Sequence, residues 1–130
     1  MPDPDEHDEY KVLEDAGFTK DKKKCSKKYQ SVSTDVSLLK DVLRVSPDDG
    51  SLLNSCGGEN PKAHLRKSRM KCKSLGKGES AGFRVFYIQN IETKEVYLLA
   101  MVIKAKECEV SFNDLRKILK SVCDKIVVLS

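Results

Sequence analysis

The residues of this sequence that could do chemistry are cations, and their spacing is uneven. Arg84 is the only charged residue in Phe83-Arg84-Val85-Phe86-Tyr87-Ile88, a segment otherwise apolar or aromatic. Lys67 and Arg69 alternate with Arg66, Ser68 and Met70. On a strand, residues two apart point the same way, so Lys67 and Arg69 would share a face. Lys104 and Lys106 carry the same spacing and would share one too. A guanidinium held on a rigid strand can bind two oxygens of one phosphate. The alternative for Arg84 is an internal ion pair, with Glu79 or Glu95 as the partner.

Other chemistries find little support. There is no G-x-x-x-x-G-K-[ST] phosphate loop, and no carboxylate constellation suggests a metal nuclease. No metal or other cofactor is expected. The five cysteines, Cys25, Cys56, Cys72, Cys108 and Cys123, include no C-x-x-C pair. The spacing points to reduced cysteines rather than a disulfide framework or a zinc site. His64 titrates in the useful range, but one histidine cannot supply an acid and a base, and His7 lies in the leader. His64 is therefore expected to be a bystander at the start of a strand. Tyr87 and Tyr97 could stack on bases, though core packing suits their positions better.

Charge narrows the partner. Residues 1–9 carry five acids, so the remainder of this +4 chain is +9. Lys20 to Lys28 holds six lysines and one acid; on a helix, that run reads as a solvated face. Lys62 to Gly78 holds seven Lys or Arg and no acid, and it alternates with apolar residues. A basic body favours an anionic partner, either nucleic acid or an acidic protein segment.

The elements that must position these residues follow from periodicity. At 130 residues the chain suits one domain. Residues 1–9 read as a disordered acidic leader, and 10–130 as a single domain. The leader is not a signal peptide, and no apolar window is long enough for a membrane span. Tyr10 to Leu13 reads as a first strand and Thr19 to Tyr29 as a helix. Val32, Val36, Leu39, Val42 and Leu43 set the stripe of a second helix, capped at Ser33 or Thr34. Ser46 to Lys62 reads as a loop. Strands follow over His64 to Cys72, Phe83 to about Ile91, and Val96 to Ile103, the last two as a hairpin. Ser111 opens a last helix with Asp114 at its third position. Leu115, Ile118, Leu119 and Val122 form its stripe. The tail Lys125 to Ser130 reads as an edge strand or a docking segment. The fold class is α+β: an N-terminal helical hairpin packed on a small, mostly antiparallel sheet, with a C-terminal helix.

The stretch LRKSRMKCKSLGKGESAGFRVFYIQNIETKEVYLLAMVIKAKE resembles the second half of toxins of the RelE/ParE superfamily, and its pattern is nearest the HigB-type branch. The matching motifs are Leu65-Arg66-Lys67-Ser68-Arg69, Gly76-Lys77-Gly78, Gly82-Phe83-Arg84-Val85-Phe86-Tyr87, Tyr97-Leu98-Leu99, and Lys104 with Lys106. The earlier KKKCSKKYQSVSTDVSLLKDVLRVSP resembles the helical hairpin that opens such toxins. The likeness runs from about Tyr10 to Val122. The sequence departs from the pattern at Ser68, usually apolar, at His64, often glycine, and in having no tyrosine after Lys106.

This resemblance implies a RelE-like fold and the toxin of a type II toxin–antitoxin system. The implied activity is metal-independent endoribonuclease cleavage of mRNA, on the ribosome, in the cytoplasm. The implied protein partner is a cognate antitoxin, with oligomers forming only through it. The alternatives are a gyrase-directed ParE-like toxin or an inactive member that binds nucleic acid or antitoxin. Metal-free ribonucleases let the 2′-OH attack the adjacent phosphate, which requires a base, an acid and surrounding positive charge. In that scheme Arg84 clamps the phosphate and Lys67 is the base candidate, made more acidic by nearby cations. Arg69, Lys104 and Lys106 complete the catalytic set. Arg66, Lys71, Lys73 and Lys77 contact RNA.

Overall fold

A computed structural model describes residues 9–75 and 82–129. The acidic leader before Glu9 and the Gly76-Lys77-Gly78 loop lie outside the described residues. The elements are β1 (Lys11–Glu14), α1 (Ala16–Lys28), α2 (Val32–Val45), β2 (Ser51–Cys56), β3 (Ala63–Met70), β4 (Phe83–Asn90), β5 (Glu95–Ile103) and α3 (Phe112–Leu129). Short 3-10 turns cover Lys73–Leu75 and Lys104–Glu109. The strands form one sheet in the order β1-β5-β4-β3-β2. Among the described residues only the β1–β5 pair is parallel; the other pairs are antiparallel. No helix among the described residues is long and apolar enough to cross a membrane.

Strand β4 is the middle strand, and all eight of its residues are buried. Its side chains alternate between two apolar layers. Phe83, Val85 and Tyr87 join Phe18 of α1 and Val32, Val36, Leu39 and Leu43 of α2. Phe86 and Ile88 join Ala63, Leu65, Leu99 and the α3 residues Leu115, Leu119 and Ile126. Each fully buried large side chain contributes roughly 1.5–3 kcal/mol relative to exposure. A strand covered on both faces reads as a continuous apolar run, which is how this segment reads.

Helix α1 starts at Ala16, ahead of the expected Thr19, because Asp15 caps it by accepting from the Gly17 N–H at 3.1 Å. Helix α2 is preceded by Ser31 rather than capped from Ser33 or Thr34. The Ser31 hydroxyl donates to Asp35 at 2.7 Å and accepts from the Ser74 N–H at 2.8 Å. That contact pins the 3-10 turn after β3 to the start of α2. Glu14 of β1 clips both helices to the sheet edge, taking Lys22 at 2.6 Å and Lys40 at 2.5 Å. Strand β1 ends at Glu14, so the Met101 N–H lies beyond its reach. Asp21 of α1 accepts that bond at 3.1 Å.

Three expectations are corrected. The stretch Ser46 to Lys62 is not all loop, because Ser51–Cys56 pairs antiparallel with β3 as the sheet's edge. Its Ser and Asn content hid it, and an edge strand tolerates such residues because one side faces water. The tail is not a strand, because α3 runs on to Leu129. The cysteines are not all reduced: Cys56 of β2 and Cys123 of α3 form a disulfide between residues 67 apart in sequence. Local spacing could not reveal it, since the pair meets only when α3 lies across the edge strand. Cys25, Cys72 and Cys108 are free.

Candidate nucleic-acid interface

Strand register assembles the cluster. Arg69 sits directly opposite Arg84, and Lys67 opposite Phe86. Directly opposed residues point to the same face, so Lys67, Arg69 and Arg84 share the face that α3 covers further along. Like charges placed opposite each other on a sheet are destabilising, typically by ~0.2–1 kcal/mol. Arg84 is only 4% exposed, and its Nη1 donates to the Phe83 carbonyl at 3.3 Å. The guanidinium is thus held by packing in the middle strand. Gly82 makes the start of β4 possible: a Cβ there would meet the Met70 carbonyl oxygen at 2.3 Å. The Lys104 N–H also donates to the Gly82 carbonyl at 3.0 Å, drawing the turn after β5 over the cluster.

That turn brings in a residue missed at the level of sequence. Glu107 Oε1 lies 2.5 Å from Lys67 Nζ, and both side chains remain about one-third exposed (30% and 33%). The hydrogen bond from Lys67 is the main influence holding the Glu107 carboxyl below its ordinary range. It outweighs burial and is reinforced by the charges of Lys67, Arg84 and Lys104. Among the described residues the site is therefore cationic, with the Glu107 carboxylate inside it. Only the i,i+3 spacing of Lys104 and Glu107 hinted at this, and it becomes a signal only once the segment is known to be a 3-10 turn, where such residues eclipse.

The other proposed residues divide. Lys104 acts on the cluster through its charge, which helps to lower Glu107. Lys106 does not share its face, because a 3-10 turn sends residues two apart in different directions. It lines a cavity of about 480 Å³ with Lys24, Cys25 and Lys28 of α1. Burial pushes the Cys25 thiol up there. Arg66 points to the opposite face. Its Nε donates to Gln89 at 2.9 Å and its Nη1 to the Gly50 carbonyl at 2.8 Å, so it ties down the segment before β2. Lys71 is exposed just past β3, and Lys73 is exposed in the turn pinned to α2. Lys77 lies outside the described residues.

Of the two suggested ion-pair partners of Arg84, Glu95 is placed elsewhere. Glu95 faces Asn90 at the other end of β4, where it accepts from the Tyr97 hydroxyl at 2.8 Å. Glu79 lies outside the described residues. Tyr97 has its own hydroxyl pushed up to about 12, by burial and by that carboxylate. Tyr87 is fully buried, and its hydroxyl donates to the Pro47 carbonyl at 2.8 Å and accepts from the Gly50 N–H at 2.9 Å. Burial takes it to about 12 as well. Ser68, at the position where the resembled pattern is usually apolar, is buried on the α1–α2 face and donates to Asp49 at 3.3 Å. His64 stands opposite Gln89, also away from the cluster, and is lowered by burial and by Arg66. No His, Cys, Asp or Glu group among the described residues is arranged to hold a metal.

The described cluster thus sets the charges of Lys67, Arg69, Arg84 and Lys104 around the Glu107 carboxylate.

No family model matches the sequence, and no curated protein matches it. Among solved structures, a chain of the archaeal RelE–RelB complex from Pyrococcus horikoshii OT3 is similar in fold. The TM-score is 0.53 at 19% identity, over 75% of this chain and 97% of that one. At that identity the likeness concerns architecture, and the architecture of this chain is RelE-like.

Proposed function

We propose that this chain is the toxin of a toxin–antitoxin pair and a metal-independent endoribonuclease that cleaves mRNA on the ribosome. One observation carries this most: a buried arginine in the middle strand, Arg84, faces Arg69 across the ladder beside Lys67. Guanidiniums gathered on one face match the paired oxygens of a phosphodiester. The RelE-like architecture supports the toxin assignment, since RelE occurs in that solved structure with RelB. The HigB-like order of motifs supports the ribosome as the place of action, in the cytoplasm. The antitoxin would carry an acidic or amphipathic segment against the basic face.

The 2′-OH attacks the neighbouring phosphorus and the 5′-oxygen leaves, which accounts for a choice of RNA over DNA. Arg84 and Arg69 hold the non-bridging oxygens as charge builds on them. By analogy with one oxyanion donor, a preorganised guanidinium is worth roughly 3–4 kcal/mol of barrier.

The test is mRNA cleavage in a purified translation system, with and without ribosomes. Arg84→Ala is expected to lose about 10²–10³ in rate. A wild type that cuts no mRNA under either condition overturns the nuclease assignment and leaves a binding module or a gyrase poison.

A further inference from the structure

Resting on the nuclease reading, we infer that Glu107 and Lys67 form a coupled base–acid pair, with Glu107 taking the proton from the attacking 2′-OH. Glu107 replaces Lys67 in the role of base, and Lys67 becomes the acid. Geometry supports this directly. Glu107 Oε1 and Lys67 Nζ are in hydrogen-bond contact at 2.5 Å, on the face that carries Arg69 and Arg84. Both side chains keep partial access to solvent, and so to a substrate. A lysine whose ammonium donates to a carboxylate has no lone pair to offer as a base. The carboxylate does, and it is ionised at neutral pH because its neighbours hold it below its ordinary range. The charged groups acting on it are Lys67 from β3, Arg84 from β4 and Lys104 from its own turn. All three are cations.

The proton balance closes within the pair. The 2′-OH proton passes to the Glu107 carboxylate as the 2′-oxygen bonds to phosphorus. The bond from phosphorus to the 5′-oxygen breaks, and that oxygen takes a proton from the Lys67 ammonium. Protonating Glu107 removes the counter-charge beside Lys67, which makes the ammonium a readier donor at that moment. The products are a 2′,3′-cyclic phosphate and a 5′-hydroxyl. The neutral carboxylic acid then returns its proton to the neutral amine across the contact that already exists. The pair is reset without a proton from solvent.

The experiment uses ribosomes programmed with mRNA cut at one position, made either with the ordinary 5′-oxygen or with sulfur in its place. A sulfur leaving group departs as thiolate and needs no acid. Glu107→Gln and Lys67→Met are compared with the wild type in single-turnover reactions, their folding checked by melting temperature. Each variant is expected to lose about 10²–10⁴ in rate on the oxygen substrate. The sulfur substrate is expected to restore Lys67→Met to near wild type and to leave Glu107→Gln slow. RNA affinity of Glu107→Gln should stay the same or rise, since a negative charge has gone from the site. If Glu107→Gln cuts as fast as the wild type, or faster, the carboxylate is only a counter-ion seated where the phosphate will go. Sulfur rescue of Glu107→Gln, or failure to rescue Lys67→Met, reverses or removes the assigned roles. A wild type that cuts neither RNA overturns the nuclease reading itself, whereas cleavage that ignores Glu107 overturns this inference alone.

Discussion

Replacing Glu14 by Gln tests how the helices are held against the sheet, and thus how β4 is kept in place. Glu14 receives Lys22 from α1 and Lys40 from α2, together with the Thr19 hydroxyl at 2.9 Å. Burial alone would raise its carboxyl, but the hydrogen bonds from Lys22, Lys40 and Thr19 outweigh it. The result is a fall from 4.5 to about 2. At about 1.4 kcal/mol per pH unit, that difference corresponds to roughly 3 kcal/mol. Both lysines are about a quarter exposed, at 27% and 23%, so solvent screening takes part of it. An expected loss of about 1–3 kcal/mol at pH 7 remains for Glu14→Gln. The sign follows from a depressed folded-state value. The stabilisation is full above the unfolded carboxylate value and fades as pH falls through about 4 towards 2. Urea unfolding of wild type and variant at pH 7, 5, 4 and 3 measures it. The gap should be constant from pH 7 to about 5 and shrink below that. A gap that holds its size down to pH 3 would refute the charge-based account and leave only lost hydrogen-bond geometry.

Three further outcomes are expected. Arg69→Gln should leave stability unchanged or raise it by up to ~1 kcal/mol, by relieving the opposed charge on Arg84, while weakening RNA binding in a filter or fluorescence assay. A clear loss of stability would mean that Arg69 is a structural partner. Tyr87→Phe removes both hydroxyl bonds to Pro47 and Gly50 and strands a buried N–H. It should lose roughly 1–3 kcal/mol in urea titration, with faster hydrogen exchange at Gly50. Changing Cys56 and Cys123 together to Ser opens a loop closed over 67 residues and should lose about 2–4 kcal/mol. Reductant should lower the wild-type melting temperature and leave the double variant unaffected.

Local pattern carried much of this molecule. The apolar run around Arg84 specified a middle strand because a strand covered on both faces leaves no room for polar alternation. The stripe of Val32, Val36, Leu39 and Leu43 specified a helix because its period is helical. The Ser111 cap was legible too, since the Asp114 N–H does donate to the Ser111 hydroxyl at 3.3 Å. Alternation also placed Lys67 and Arg69 on one face. What no local pattern contained is everything set by register and by chain crossing. Arg84 meets Arg69 only because β3 and β4 pair with that offset. Glu107 reaches Lys67 because the segment after β5 coils into a 3-10 turn, which also sends Lys106 away towards α1. Arg66 differs from Lys67 by one residue and therefore lies on the other face, tying down a loop. Strand β2 and the Cys56–Cys123 bond were hidden for the same reason: an edge strand is defined by its neighbour, and a disulfide by proximity in space. Composition and periodicity determined that a basic α+β domain would carry an arginine in an otherwise apolar strand. Tertiary structure decided which charges face it, because contacts across 15 to 40 residues of chain depend on packing and not on spacing.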